Sequence, residues 1–106
     1  MKKVNILGTE YIIEHRRPDE DEILEKADGY CDNSNGIIVI ADRKKESDLG
    51  NYDRYQRKVT RHELIHAFLS ESGLHQEFGH DEVTIDRFAS QFPKIMRAFQ
   101  EVGVLE

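Results

Sequence analysis

Apolar and polar positions alternate at the start of the chain: Val4 and Ile6 are followed, after Gly8-Thr9, by Tyr11 and Ile13. A period of two with glycine between the runs predicts a short hairpin, or a strand with a turn. Pro18 and the acidic run Asp19-Glu20-Asp21-Glu22 place a fixed φ and negative charge where a helix start favours both, and Gly29 supplies a stop. The spacing predicts a helix from about Asp19 to Ala27, its carboxylates forming a solvated first turn. Tyr30-Cys31-Asp32, the turn Asn33-Ser34-Asn35-Gly36 and the β-branched run Ile37 to Ala41 read as strand, turn and strand. Asp42 to Asn51 mixes charge, Ser and Gly and reads as an exposed loop.

From about Tyr52 the period changes. Tyr55, Val59, Leu64, Ile65, Phe68 and Leu69 recur at three- and four-residue spacing until Gly73, which predicts a helix of about 20 residues. Leu74 to His80, preceded by Gly73 and containing Gly79, shows no period, so it reads as a loop. A second helix starts near Asp81 and carries Val83, Ile85, Phe88, Ala89 and Phe92 on one face. Pro93 disfavours helix at Phe92 and suits a new first turn, so a break is expected there, with a last helix to about Val102 stopped by Gly103.

The chain has 106 residues, enough for a single domain spanning 1–106. A domain of that size buries roughly 60 to 68% of the surface its unfolded chain exposes, so a metal or partner would add useful stability. Lys+Arg number 15 against Asp+Glu 21, a net charge of -6 and the wrong sign for a chain held to phosphates, so no nucleic acid is expected as partner. The run Ile37 to Ala41 is far shorter than the ~20 residues of a membrane helix, and Met1-Lys2-Lys3-Val4 lacks the apolar segment of a signal peptide. These features predict a cytoplasmic protein without a membrane partner. A lone cysteine, Cys31, excludes an internal disulfide and a multi-cysteine zinc site, and is expected to be a half-buried filler. Arg16-Arg17 and Arg43-Lys44-Lys45 read as solvated loop clusters, and Tyr52 and Tyr55 as core or helix-surface residues.

The chemistry concentrates at His62-Glu63-Leu64-Ile65-His66, an H-E-x-x-H sequence inside the predicted long helix. Imidazoles at i and i+4 sit one turn apart on one face and can share an ion, while Glu63, rotated by about 100°, can flank that ion and accept a proton. Five His and twelve Glu in this chain give the motif about 0.026 chance occurrences. Its placement in an amphipathic helix, with apolar Leu64 and Ile65 at the free positions, adds weight. A zinc hydrolase needs a third protein ligand and an open fourth position. Asp81-Glu82-Val83-Thr84-Ile85-Asp86 offers Glu82 as that ligand and Asp86, one turn on, as acceptor for the N–H of a ligating imidazole. The alternative is that Asp81 and Glu82 only cap a helix start.

His62-Glu63-x-x-His66 followed by Asp81-Glu82-x-x-x-Asp86 resembles the gluzincin zinc peptidases. The stretches Arg61 to Leu74 and Asp81 to Gly103 are similar to small phage and prophage proteins of Gram-positive bacteria, grouped loosely with the ImmA/IrrE-type metallopeptidases. The hairpin from Gly29 to Asp42 also matches what precedes the helix in such proteins. The resemblance implies one Zn2+ held by His62, His66 and Glu82, Glu63 as general base, and Asp86 as partner of His62. Leu69 and Ser72 stand where the metzincin extension needs Gly and His, which excludes that family. The rival third ligand is His80, because SprT-like proteases use a histidine at a comparable distance. Those proteins bring DNA affinity and a basic surface, and neither is visible here.

The expected fold is α+β, a small antiparallel sheet packed against the His62 helix, with the Glu82 helix crossing nearby. Metal-assisted hydrolysis of a peptide or protein substrate is the expected reaction. Ile37 to Ile40, if an edge strand, would present backbone around Ile38 and Ile40 to an extended peptide. His75 reads as a solvated loop residue, or as a donor to an oxyanion at the cleft rim. Two other classes stay open: a zinc-stapled module without catalysis, and a phage-encoded interaction protein that binds a host regulator without cutting it.

Overall fold

The computed structural model describes residues 1–43, 50–79 and 81–106. β1 (Lys2–Ile6) and β2 (Thr9–Arg16) form an antiparallel hairpin, with Ile6 opposite Thr9 across Leu7-Gly8. Both turn residues have positive φ, and Asn5 Oδ1 accepts the Gly8 N–H at 2.8 Å. This is the primed turn whose twist matches that of its strands.

β3 (Gly29–Asp32) and β4 (Ile37–Ala41) are antiparallel, but β4 lies parallel to β2, with Ile38 opposite Ile13. The sheet order is β1-β2-β4-β3. The architecture is α+β as expected, whereas the sheet is mixed and not antiparallel. Its inner strand β4 is buried on both faces. Ile38 and Ile40 pack with Tyr11, Ile13, Val59 and Ala67, while Val39 and Ala41 pack with Leu24 on the other face. An unbroken β-branched run is what burial on both faces requires. Ile38 and Ile40 are therefore no substrate platform: both sides of β4 are taken by β2 and β3. The edge strands are β1 and β3, and β3 is the one on the cleft.

The helix expected over Asp19 to Ala27 is replaced by two 3-10 turns, Pro18–Glu20 and Glu22–Glu25. Asp21 between them is extended, and its carboxylate accepts from the Ile23 N–H, Arg16 and the Tyr30 hydroxyl. Only Leu24 is buried in this stretch, too little apolar surface to hold a regular short helix in place. The basic clusters also differ from expectation. Arg16 is locked to Glu14 and Asp21, and Arg43 donates to the Asp28 carboxylate and to the Leu24 and Ala27 carbonyls. Lys44 and Lys45 lie outside the described residues.

α1 (Tyr52–Glu71) is capped by Asn51, whose side chain accepts the Arg54 N–H. It buries Val59, Glu63 and Ala67 against the sheet. Tyr52 and Tyr55 are half-buried and fasten this helix, the first donating to the Ala41 carbonyl and the second to the Asp28 carboxylate. Gly29 makes the close approach possible: a Cβ there would lie 3.1 Å from Val59 Cγ1 and 3.0 Å from the Val39 carbonyl oxygen. The expected loop after α1 contains one short helix, α2 (His75–Phe78). α3 (Glu82–Val102) is capped by Asp81, which accepts the Thr84 N–H at 3.0 Å, and it ends at Gly103 with φ 68°. Among the described residues no helix is long and apolar enough to cross a membrane.

α3 runs through Pro93 without the expected break. Proline removes the donor that would satisfy the carbonyl four residues earlier, that of Ala89. Arg61 of α1 replaces it, its Nε donating to the Ala89 oxygen at 2.7 Å. Arg61→Met should therefore destabilise the fold by about 1 to 3 kcal/mol, the cost of a buried carbonyl left without a donor. Thermal melts of the metal-free protein measure it, and the loss should shrink in a Pro93→Ala background, where the backbone supplies its own N–H. Equal losses in both backgrounds would show that Arg61 acts by another route.

Candidate metal centre

His62 and His66 are one turn apart on α1, with ring centroids 5.0 Å apart. Both rings are mostly buried, and both turn Nε2 toward Glu82 at the start of α3: His62 Nε2 is 2.8 Å from Glu82 Oε2 and His66 Nε2 is 2.9 Å from Oε1. Asp81 takes the capping task, which frees Glu82 to reach α1. One ligand atom from each of His62, His66 and Glu82 lies within 4.8 Å of the others. Burial pushes the His66 pKa down, favouring the neutral imidazole that a metal needs, although Glu82 opposes the shift.

Behind this trio, Asp86 Oδ1 lies 3.2 Å from His62 Nδ1. Burial opposes ionisation of Asp86, but the Lys58 ammonium, 3.2 Å away, and His62 together hold its pKa below the ordinary carboxylate value. Asp86 thus stays charged and can accept the Nδ1–H, leaving Nε2 as the lone-pair atom. Lys58 was not among the residues singled out by motif. Its signal was its place one turn before His62, where its pairing with a carboxylate on another helix could not be read from spacing.

The donor set fits a borderline divalent cation. His62 faces carboxylates at both ring nitrogens, yet a neutral imidazole has only one N–H to give. A cation shared by the two Nε2 atoms and Glu82 removes that mismatch, and two imidazoles with one carboxylate is a ligand set zinc takes in hydrolases.

Glu63 is buried where α1 meets the sheet, beside the two imidazoles. Its residue surface is 7% exposed, and it lines a cleft of about 390 Å³ with His62, His66 and His75 on one wall and Gly29, Tyr30 and Cys31 of β3 on the other. Burial raises its pKa to about 7, with His62 opposing and Glu82 reinforcing the shift. A carboxyl poised near neutral pH in a cleft can both take and give a proton. Cys31 is half-buried, as expected, and burial pushes its thiol up to about 12, so it serves as neither nucleophile nor thiolate ligand there.

His75 joins the cleft wall through α2, its ring 5.9 Å from that of His66. Gly79 makes room for it, since a Cβ at that position would meet the His75 ring at 2.4 Å. The rival ligand His80 lies outside the described residues. Compared with known proteins, the chain matches no family model, and neither a curated protein nor a solved structure is significantly similar to it.

Proposed function

We propose that the domain is a zinc-dependent peptidase of the gluzincin kind, similar to the ImmA/IrrE-type enzymes of phages and prophages. The observation that carries the reading is the burial of Glu63 in the cleft, beside the point on which His62, His66 and Glu82 converge. These three side chains would hold the ion. When bound, zinc supplies a Lewis acid that polarises a carbonyl and acidifies water. Glu63 takes a proton from the attacking water and returns it to the leaving amine, so that H and OH add across the scissile C–N bond. Asp86 holds His62 in one tautomer, and Lys58 holds Asp86.

An extended peptide would enter along β3, the edge strand on the cleft wall, where it can pair its backbone by strand addition. His75, which lines the cleft with His66, would donate to the carbonyl oxygen as negative charge builds there. A single cysteine, which can form no disulfide within the chain, suits the reducing cytoplasm in which we place the protein.

The test is cleavage. Zinc-loaded protein incubated with host-cell extract should generate new peptide N-termini, readable by mass spectrometry. A chelator should abolish them and added zinc should restore them. An extract left intact by the zinc-loaded protein would favour a zinc-stapled binding module instead.

A further inference from the structure

α3 carries a second apolar surface that the rest of the described chain does not cover. Ile85, Phe88, Phe92, Ile95, Phe99 and Val102 follow one another at spacings of three, four, three, four and three residues. That is the a/d repeat of two helices that wrap around each other. In the monomer α3 packs on α1 through Ile85 and Ala89 and Ile95 is half-buried, while the other four positions of the repeat stay open to solvent: Phe88 is 52% exposed, Phe92 37%, Phe99 45% and Val102 70%. Phe68 of α1, 48% exposed, borders the same surface, in a groove of about 550 Å³ that Leu64 and Ile65 line with Phe88 and Phe92.

We infer that a second copy of this chain covers that surface, seam against seam along α3. The residues flanking the repeat are Thr84, Ala89, Gln91, Met96 and Ala98, all uncharged. Charges at those positions set partner choice in helix pairs, and their absence here leaves no like charges opposed when two identical helices meet across a two-fold axis. Two chains of net charge -6 can approach through this face without opposing charges inside the contact.

The area suffices. At ~200 Å² for a whole aromatic side chain, the exposed fractions leave about 360 Å² on the four Phe rings. With Val102, two copies would cover on the order of 900 Å² of apolar surface. Apolar atoms make up about 60% of an interface, so the contact totals roughly 1,500 Å², the size of a stable protein–protein interface. This inference stands independently of the zinc reading, although α3 also bears Glu82 and Asp86.

Sedimentation equilibrium tests it. The wild type should sediment at twice the monomer mass at concentrations on the order of 100 µM, and the affinity should hold or rise with added salt, which screens the repulsion between two acidic chains. Phe99→Glu should weaken association at least ~100-fold, because it buries a charge in the seam. Unchanged circular dichroism would show that the fold survives. Arg97→Glu, on the opposite side of α3, should leave the dimer intact. A wild type that stays monomeric at those concentrations overturns the inference, and so does a dimer that Phe99→Glu leaves unchanged or that salt dissolves. A monomer that floats with phosphatidylcholine vesicles would assign the surface to lipid and equally overturn it.

Discussion

Glu63→Gln is expected to bind zinc as the wild type does and to cleave its substrates about 10² to 10⁴-fold more slowly, the usual contribution of a general base. The amide has nearly the shape of the carboxyl, so the buried position between α1 and the sheet stays filled. It cannot accept a proton, and a group poised near pH 7 is replaced by one that does not titrate. Glu63 shares no contact with Glu82 of the kind the two imidazoles make, so loss of its charge leaves the converging Nε2 and carboxylate atoms in place. Zinc content by metal analysis and turnover against the substrates found in extract give the two readouts. Cleavage at the wild-type rate would remove Glu63 from the chemistry, and loss of zinc would make it part of the metal centre.

His66→Ala and Glu82→Ala should each reduce zinc affinity by more than 100-fold. Each deletes one of three converging ligand atoms. Asp86→Asn and Lys58→Met should cost less, about 10- to 100-fold, since they act on the orientation of His62 and not on the ion. Thermal melts report the same order. Zinc at 100 times its Kd stabilises the folded state by about 2.7 kcal/mol, which in a domain of this size raises Tm by roughly 10 °C or more. That rise should vanish in His66→Ala and Glu82→Ala and be smaller than wild type in Lys58→Met. If His80→Ala abolished it while Glu82→Ala kept it, the third ligand would be the histidine and the protein would stand with the SprT-like proteases.

Much of the site was legible because local periodicity carries it. His62, Glu63 and His66 lie within little more than a turn of one helix, so their mutual placement follows from 3.6 residues per turn alone. Glu82 and Asp86 were legible as a pair for the same reason. Their meeting with α1 was an inference from ligand chemistry, and Lys58 escaped it because salt bridges between helices leave no spacing to read.

Local patterning determined that this chain has a long helix bearing H-E-x-x-H, a β-branched strand at Ile37 to Ala41, and a following helix that opens on an acidic turn. It did so because turn residues and apolar period act over a few positions. Tertiary structure decided the rest. The parallel pairing of β2 with β4 made Ile38 and Ile40 core residues and gave the cleft to β3. Asp21, drawn to Arg16 and Tyr30, broke an acidic helix into two turns. Arg61, donating to the Ala89 carbonyl from another helix, let α3 pass through Pro93. Asp21 and the Ala89 carbonyl were each captured by a side chain outside their own element, and β4 by a strand that the period of its residues does not name; only the assembled fold brings such partners together.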